Sequence, residues 1–169
     1  MREPFGHQIM RFDFQPISVS DAEGIVAWRY PRPYHLYDMK DATQLLNPRF
    51  HYHVSRSEQQ VTAFLCYGKG AQVPGFDYDD SCVDVGWGLR PDLTDQGLGA
   101  CFVSQVTAFM HPRTERKPLR VTIMALNERC QKACGPAGFV YSTRFVRPSD
   151  GKRFVVMTEK ETEEVHPAD

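Results

Sequence analysis

Val83-Asp84-Val85-Gly86-Trp87-Gly88-Leu89-Arg90-Pro91-Asp92-Leu93-Thr94-Asp95-Gln96-Gly97-Leu98-Gly99-Ala100 is the most informative run in this chain. It reads as an apolar strand, a short polar turn opened by Pro91, and two glycines leading into a helix. Leu98, Phe102, Val106 and Phe109 recur at near-helical spacing, so that helix buries one face. Pro112, after His111, stops it. A strand feeding a glycine-bearing helix start suits an anionic ligand. The first helical N–H groups lack intrahelical partners, the helix dipole presents its positive end, and glycine lets a phosphate approach the backbone.

The phosphate-binding patterns can be told apart. No Gly-Lys-Ser/Thr follows, so the Walker pattern is absent. The dinucleotide fingerprint wants a third glycine where Phe102 stands, and several strands precede the loop. Thr94-Asp95-Gln96-Gly97-Leu98-Gly99 instead resembles the Arg/Gln-x-x-Gly-x-Gly/Ala loop of the GNAT acetyltransferases, with Thr94 in place of the usual Arg or Gln. Some thirty residues on, Asn127-Glu128-Arg129-Cys130-Gln131-Lys132-Ala133-Cys134 followed by Gly138-Phe139 resembles that family's Asn-x-x-Ala … Tyr-x-x-x-Gly-Phe element. An alternating strand at 119–126 leads into it. The resemblance spans roughly residues 50–160.

The resemblance implies an α/β fold: a GNAT-type mixed, mostly antiparallel central sheet of about seven strands flanked by about four helices. It implies acetyl-CoA as acyl donor. Backbone groups of Asp95, Gln96, Gly97, Leu98, Gly99 and Ala100, with Thr94, would hold the pyrophosphate. The main chain of Leu89 and Arg90 would bond the pantetheine arm, and Asn127 and Cys130 would complete the cofactor side. Gly86 and Gly88 bracket Trp87, which reads either as a bulged, splayed strand where a ligand approaches or as a twisted edge packed on Trp87.

An amine of pKa about 10 is mostly protonated at pH 7, so a base would help transfer. Asp84, between Val83 and Val85, is the candidate, since a carboxylate in an apolar strand is costly unless it meets water, a partner or a site. His35, His51 and His53 compete with it. The resemblance places Cys134 where a Tyr commonly protonates the departing thiolate, as general acid or simply as a packing residue. Gly135-Pro136 ends this helix early. Asn127 is also a good N-cap.

Toward the N-terminus, residues 8–17 alternate as a half-buried strand, and Ser20-Asp21 opens a short helix reaching Trp28. Residues 28–40 hold two prolines and four aromatics, a loop pinned by its rings or an acceptor wall. In the resembling family this region shapes the acceptor pocket, which implicates Trp28, Arg29, Tyr30, Tyr34 and Tyr37. Asp41–Leu46 reads as a second short helix, and 51–55 and 61–67 as strands joined by a link at 56–60. His51 and His53 share a strand face, but no third or fourth ligand can be placed, so no metal is expected. Residues 68–81 form a Gly/Asp/Pro-rich loop. Strands at 139–146 and 153–158 flank an Asp150-Gly151 turn, and 160–169 is a charged tail expected to fray.

Composition sets the outer bounds. The 169 residues suffice for one domain, 1–169, with its cofactor-binding core at about 82–140. A net charge of −1 with no basic run argues against nucleic acid. The lack of a long apolar run argues against a membrane span, and Met1–His7 lacks a signal-peptide core, so a cytoplasmic location is expected. Five cysteines, an odd number without a C-x-x-C pair, read as buried thiols. The functional expectation is an N-acetyltransferase moving an acetyl group to a primary amine of a small molecule or protein by direct attack in a ternary complex. An acyl-CoA-binding module with little catalysis is the alternative, and a homodimer is left open.

Overall fold

The computed structural model describes residues 10–161. Seven strands form one sheet in the order β1-β2-β3-β4-β5-β7-β6. In chain order these are β1 (Gln15–Pro16), β2 (His53–Ser57), β3 (Gln60–Tyr67), β4 (Val83–Leu89), β5 (Leu119–Met124), β6 (Phe139–Val146) and β7 (Arg153–Glu159). Every pairing is antiparallel except β4 with β5, which is parallel. Among the described residues there are three α-helices, α1 (Val19–Val26), α2 (Gly99–Met110) and α3 (Glu128–Cys134), rather than about four.

The missing helix is Asp41–Leu46. There the Asp41 carboxylate takes the Thr43 amide (2.9 Å) as an N-cap would, but the one turn that follows, with Leu46 N–H on Ala42 O (3.1 Å), is not continued. Asn47-Pro48 then begins a separate 3₁₀ turn. The first strand is likewise shorter than residues 8–17, part of which lies outside the described residues. Its alternation is real, with Phe12 buried and Arg11 and Asp13 exposed, but residues 10–12 are held by a side chain. Gln105 on α2 accepts from Phe12 N (2.7 Å) and donates to Met10 O (2.7 Å), acting as a one-residue strand partner. Helix α1 is capped two residues earlier than Ser20: Ser18 and Asp21 form a reciprocal capping box. The β2–β3 link tightens to Glu58-Gln59, both at positive φ (51° and 67°), as a two-residue primed turn requires. The charged tail beyond Glu161 lies outside the described residues.

Alternation along β3 and β4 builds two cores. Ala63, Leu65 and Val85 face α2 and α3 and pack with Phe102, Val106, Met110, Ile123 and Phe139. Phe64 and Cys66 face the other way, toward Ala22 and Ile25 of α1, Leu45, Tyr52 and Val54. Among the described residues no helix is long and apolar enough to cross a membrane, and all five cysteines are free thiols.

Candidate active site

The site arises from a failure of pairing at the sheet centre. β4 and β5 are in register only at Val83↔Leu119 and Asp84↔Arg120; beyond these, Val85–Leu89 and Val121–Met124 diverge. On its other side β4 pairs regularly with β3, from Tyr67↔Val85 to Ala63↔Leu89, with no bulge. Gly86 and Gly88 therefore do not bend the strand. They lie on the α1 side, and a Cβ on Gly88 would come within 2.5 Å of the Phe64 ring, which fills that space. Trp87 points to the opposite face, edge-on to Phe102 and Phe139.

A cavity of about 770 Å³ occupies the divergence. One mouth is the loop before α2. A 3₁₀ turn at Pro91–Leu93 is closed by Thr94, whose hydroxyl donates to Pro91 O (2.6 Å). Asp95 (φ 59°) and Gly97 (φ 73°) then turn the chain through left-handed conformations. Among the described residues no side chain caps α2, so none of them takes its first-turn N–H groups. The position of a Gly97 Cβ is open space. Gly99 lets α2 approach α3, since a Cβ there would meet the Ala133 Cβ at 3.0 Å. Thr94, Asp95, Gly97, Leu98, Gly99, Ala100, Asn127 and Cys130 line the cavity, as does Leu89; Arg90 and Gln96 do not. Arg90 instead grips Asp92 through two hydrogen bonds (2.6 and 3.1 Å).

The opposite wall is the Pro-rich segment 28–39, a strap across the gap. Tyr30 donates its hydroxyl to Leu89 O (2.5 Å), and its amide to Asp38 Oδ1 (2.9 Å). The Tyr37 oxygen accepts from Asn127 Nδ2 (3.1 Å). The amide orientation follows from the other end of that side chain, because Asn127 Oδ1 caps α3 by accepting from Cys130 N (3.1 Å). Arg129 lies 3.9 Å over the Tyr34 ring, and Trp28 stacks on Phe64 (5.9 Å between centroids). Trp28, Tyr30, Tyr34 and Tyr37 all line the cavity. Arg29 does not, because it turns back onto Val26 O and Trp28 O. Burial pushes the Tyr37 phenol up to about 12 and raises Tyr30 further, so both stay protonated near neutrality.

The two proton-handling candidates sit elsewhere. Asp84 is buried, and both its oxygens are taken by Arg120: Nε to Oδ1 at 2.6 Å and Nη2 to Oδ2 at 3.1 Å. Gln72 adds a third bond to Oδ2 (3.0 Å). The pair sits at the last registered position before the strands part, and Asp84 does not line the cavity. It also raises the Arg120 pKa through its hydrogen bonds. Cys134 is fully buried and also absent from the lining. A hydrogen bond with Cys130, then burial, push its thiol well above the usual range.

His51 stacks on Tyr67 (4.5 Å, 3° between planes), and the His53 ring approaches His51 O; neither, nor His35, reaches the cavity. Among the described residues no His/Cys/Asp/Glu cluster could hold a metal. Asp38 and Lys132 line the cavity without having been singled out in the sequence. Asp38 had no periodic signal of its own, and Lys132 lay inside a motif read for its other positions.

No protein-family model matches the chain, and a search of curated proteins finds no match. Solved structures do match. One is a GNAT-family acetyltransferase from Bacillus anthracis, with TM-score 0.66 and 10% identity, covering 89% of this chain and 97% of that one. Another is an aminoglycoside N(6′)-acetyltransferase from Legionella pneumophila, with TM-score 0.66 and 15% identity, covering 88% and 91%. A third, from Salmonella typhimurium, was solved with its cofactor acetyl-CoA; it has TM-score 0.52 and 18% identity, covering 70% and 69%. The seven-stranded mixed sheet, the parted β4 and β5 and these likenesses together identify the fold of this chain as that of the GNAT acetyltransferases.

Proposed function

We propose that the protein is an N-acetyltransferase that moves the acetyl group of acetyl-CoA to a primary amine by direct attack in a ternary complex. The observation that carries this reading is the conjunction, in one cavity, of parted central strands and an uncapped helix start behind a glycine with open space beside it. The residues fit the donor. First-turn amides of α2 and the Thr94–Ala100 backbone would take the pyrophosphate, helped by Lys132, and the unpaired edge of β4 near Leu89 would take the amide-bearing arm. Acetyl-CoA supplies the activated thioester carbonyl.

The chain's own contribution is positioning. Tyr30 and Tyr37 brace the strap against Leu89 and Asn127, narrowing the gap and excluding water. No histidine or glutamate of the described residues lines the cavity, and its carboxylates are Asp38 and Asp95. The reacting species is the free amine, about one part in a thousand at pH 7 for a pKa of about 10, so a bound ammonium gives up its proton to solvent before attack.

A second reading, an acyl-CoA-binding module with little catalysis, is favoured by the burial of Asp84 in its ion pair and of Cys134 in the core. Calorimetric titration with acetyl-CoA, with NAD as control, followed by assay of free CoA across an amine panel, separates the two. Acetyl-CoA binding with amine-dependent CoA release supports the transferase. Binding without release supports the module, and no binding removes both.

A further inference from the structure

The wall of the cavity made by the strap and β3 is aromatic, and almost all its polar groups are already engaged. Tyr30 gives its hydroxyl to Leu89 O, Tyr37 receives Asn127, and the Tyr52 oxygen receives Gln44 Nε2 (2.8 Å). Tyr30, Tyr34, Tyr37 and Tyr52 thus bring four rings to this wall. Trp28 and Phe64, stacked on each other, extend it.

Charge is scarce on the same wall. Among the described residues Asp38 is its one carboxylate, and Tyr30 N–H occupies Oδ1, which leaves Oδ2 to pair with a single ammonium. The cations of the cavity are engaged or distant. Arg129 lies over the Tyr34 ring (3.9 Å), and Arg147 makes two bonds to Asp150 (3.0 and 2.7 Å). Lys132 stands on α3 beside the loop mouth.

Resting on the transferase reading, the geometry points to an acceptor class: a primary monoamine with a flat apolar body, of the arylalkylamine kind. Its ammonium pairs with Asp38 and sits against the faces of the tyrosines, where ring quadrupoles attract a cation. Its ring packs toward Trp28 and Phe64. A polyamine or an aminoglycoside would place further ammonium groups against this wall with no second carboxylate there to meet them, Asp95 lying on the loop before α2, which is unfavourable. An acidic amino acid would bury its carboxylate against rings and Asp38.

The test measures acceptor binding apart from catalysis. Tryptamine, spermidine, kanamycin and glutamate are titrated calorimetrically into CoA-loaded protein. Tryptamine is expected to bind at least about ten-fold more tightly than each of the others. Asp38→Asn, which keeps the acceptor for Tyr30 N–H but removes the charge, should weaken tryptamine about ten-fold while leaving acetyl-CoA affinity unchanged. Trp28→Phe should weaken it to a smaller degree. Equal or tighter binding of another amine, no binding of tryptamine, or an indifferent Asp38→Asn overturns the inference. Failure of acetyl-CoA itself to bind is a different result and removes the transferase reading instead.

Discussion

Breaking the Asp84–Arg120 pair should be far more costly than removing a surface ion pair. The two side chains are about 5% and 4% exposed, and both carboxylate oxygens accept from one guanidinium. Truncating either partner strands a buried charge, which typically costs about 3–5 kcal/mol, whereas replacing both by apolar groups of similar volume is near neutral. Asp79 and Gln72, the other contacts, soften little: Asp79 is largely exposed, and Gln72 loses only one acceptor. With a urea m-value of about 2 kcal/mol/M for a domain of this size, Asp84→Leu or Arg120→Leu should lower the urea midpoint by about 1.5–2.5 M at pH 7. The double variant should recover most of that loss. The same proteins decide whether Asp84 is a base. If it is a clamp, the folded Asp84→Asn protein keeps kcat within about three-fold; removal of a general base would cost about 100-fold or more. Single variants that shift the midpoint by less than ~0.5 M would refute the clamp argument.

Gly97→Val puts a β-branched residue at a φ of 73° and a side chain into the open mouth, so acetyl-CoA affinity should fall by at least about 100-fold while circular dichroism stays native; calorimetry reads it. Gly88→Ala, whose new carbon meets the Phe64 ring, should lower stability by about 1–3 kcal/mol in urea melts. Asp21, hydrogen-bonded to Arg56 and to Ser18, has its pKa lowered below 3.8, with the Arg56 bond the largest cause. A depressed carboxylate contributes stability that is present above its unfolded pKa and lost as pH falls through the folded one. The Tm gap between wild type and Asp21→Asn should therefore be widest at neutral pH and close below about pH 4; a gap independent of pH contradicts it. With Tyr37 pushed up to about 12 and no histidine of the described residues in the cavity, kcat/KM for an amine should climb from pH 6 to 9. A plateau near pH 6–7 would instead reveal a base of near-neutral pKa.

The sequence carried the central strand, the loop and α2 clearly because three signals coincided there: an apolar run, glycines at a helix start, and helical spacing from Leu98 onward. It carried Asn127 for a similar reason, since a strand end followed by an N-cap is a local event. Asp84 shows the limit. That a buried carboxylate needs a partner was legible, but its partner lies 36 residues away on a strand whose register no local pattern reports. Asp41–Leu46 failed because its aspartate cap is real but opens a single turn, which breaks off at Asn47-Pro48. The strap was legible as aromatic and non-helical, yet its bonds to Leu89 and Asn127 span 59 and 90 residues and are invisible to any window.

The short β4–β5 register also divides the sheet by chain order. β1–β4 come entirely from residues up to 89, and β5–β7 entirely from residue 119 onward, so no strand of one half is inserted into the other. Within the sheet the two halves meet along two residue pairs, one of them the buried Asp84–Arg120 salt link, with the Tyr37–Asn127 bond bridging farther along. The molecule thus has a fault line along its own binding cleft, and a ligand lodged there acts as a keystone between two otherwise separately paired ribbons. Hydrogen exchange should report it as protection gained on both flanks at once, in Val85–Leu89 and Val121–Met124 together.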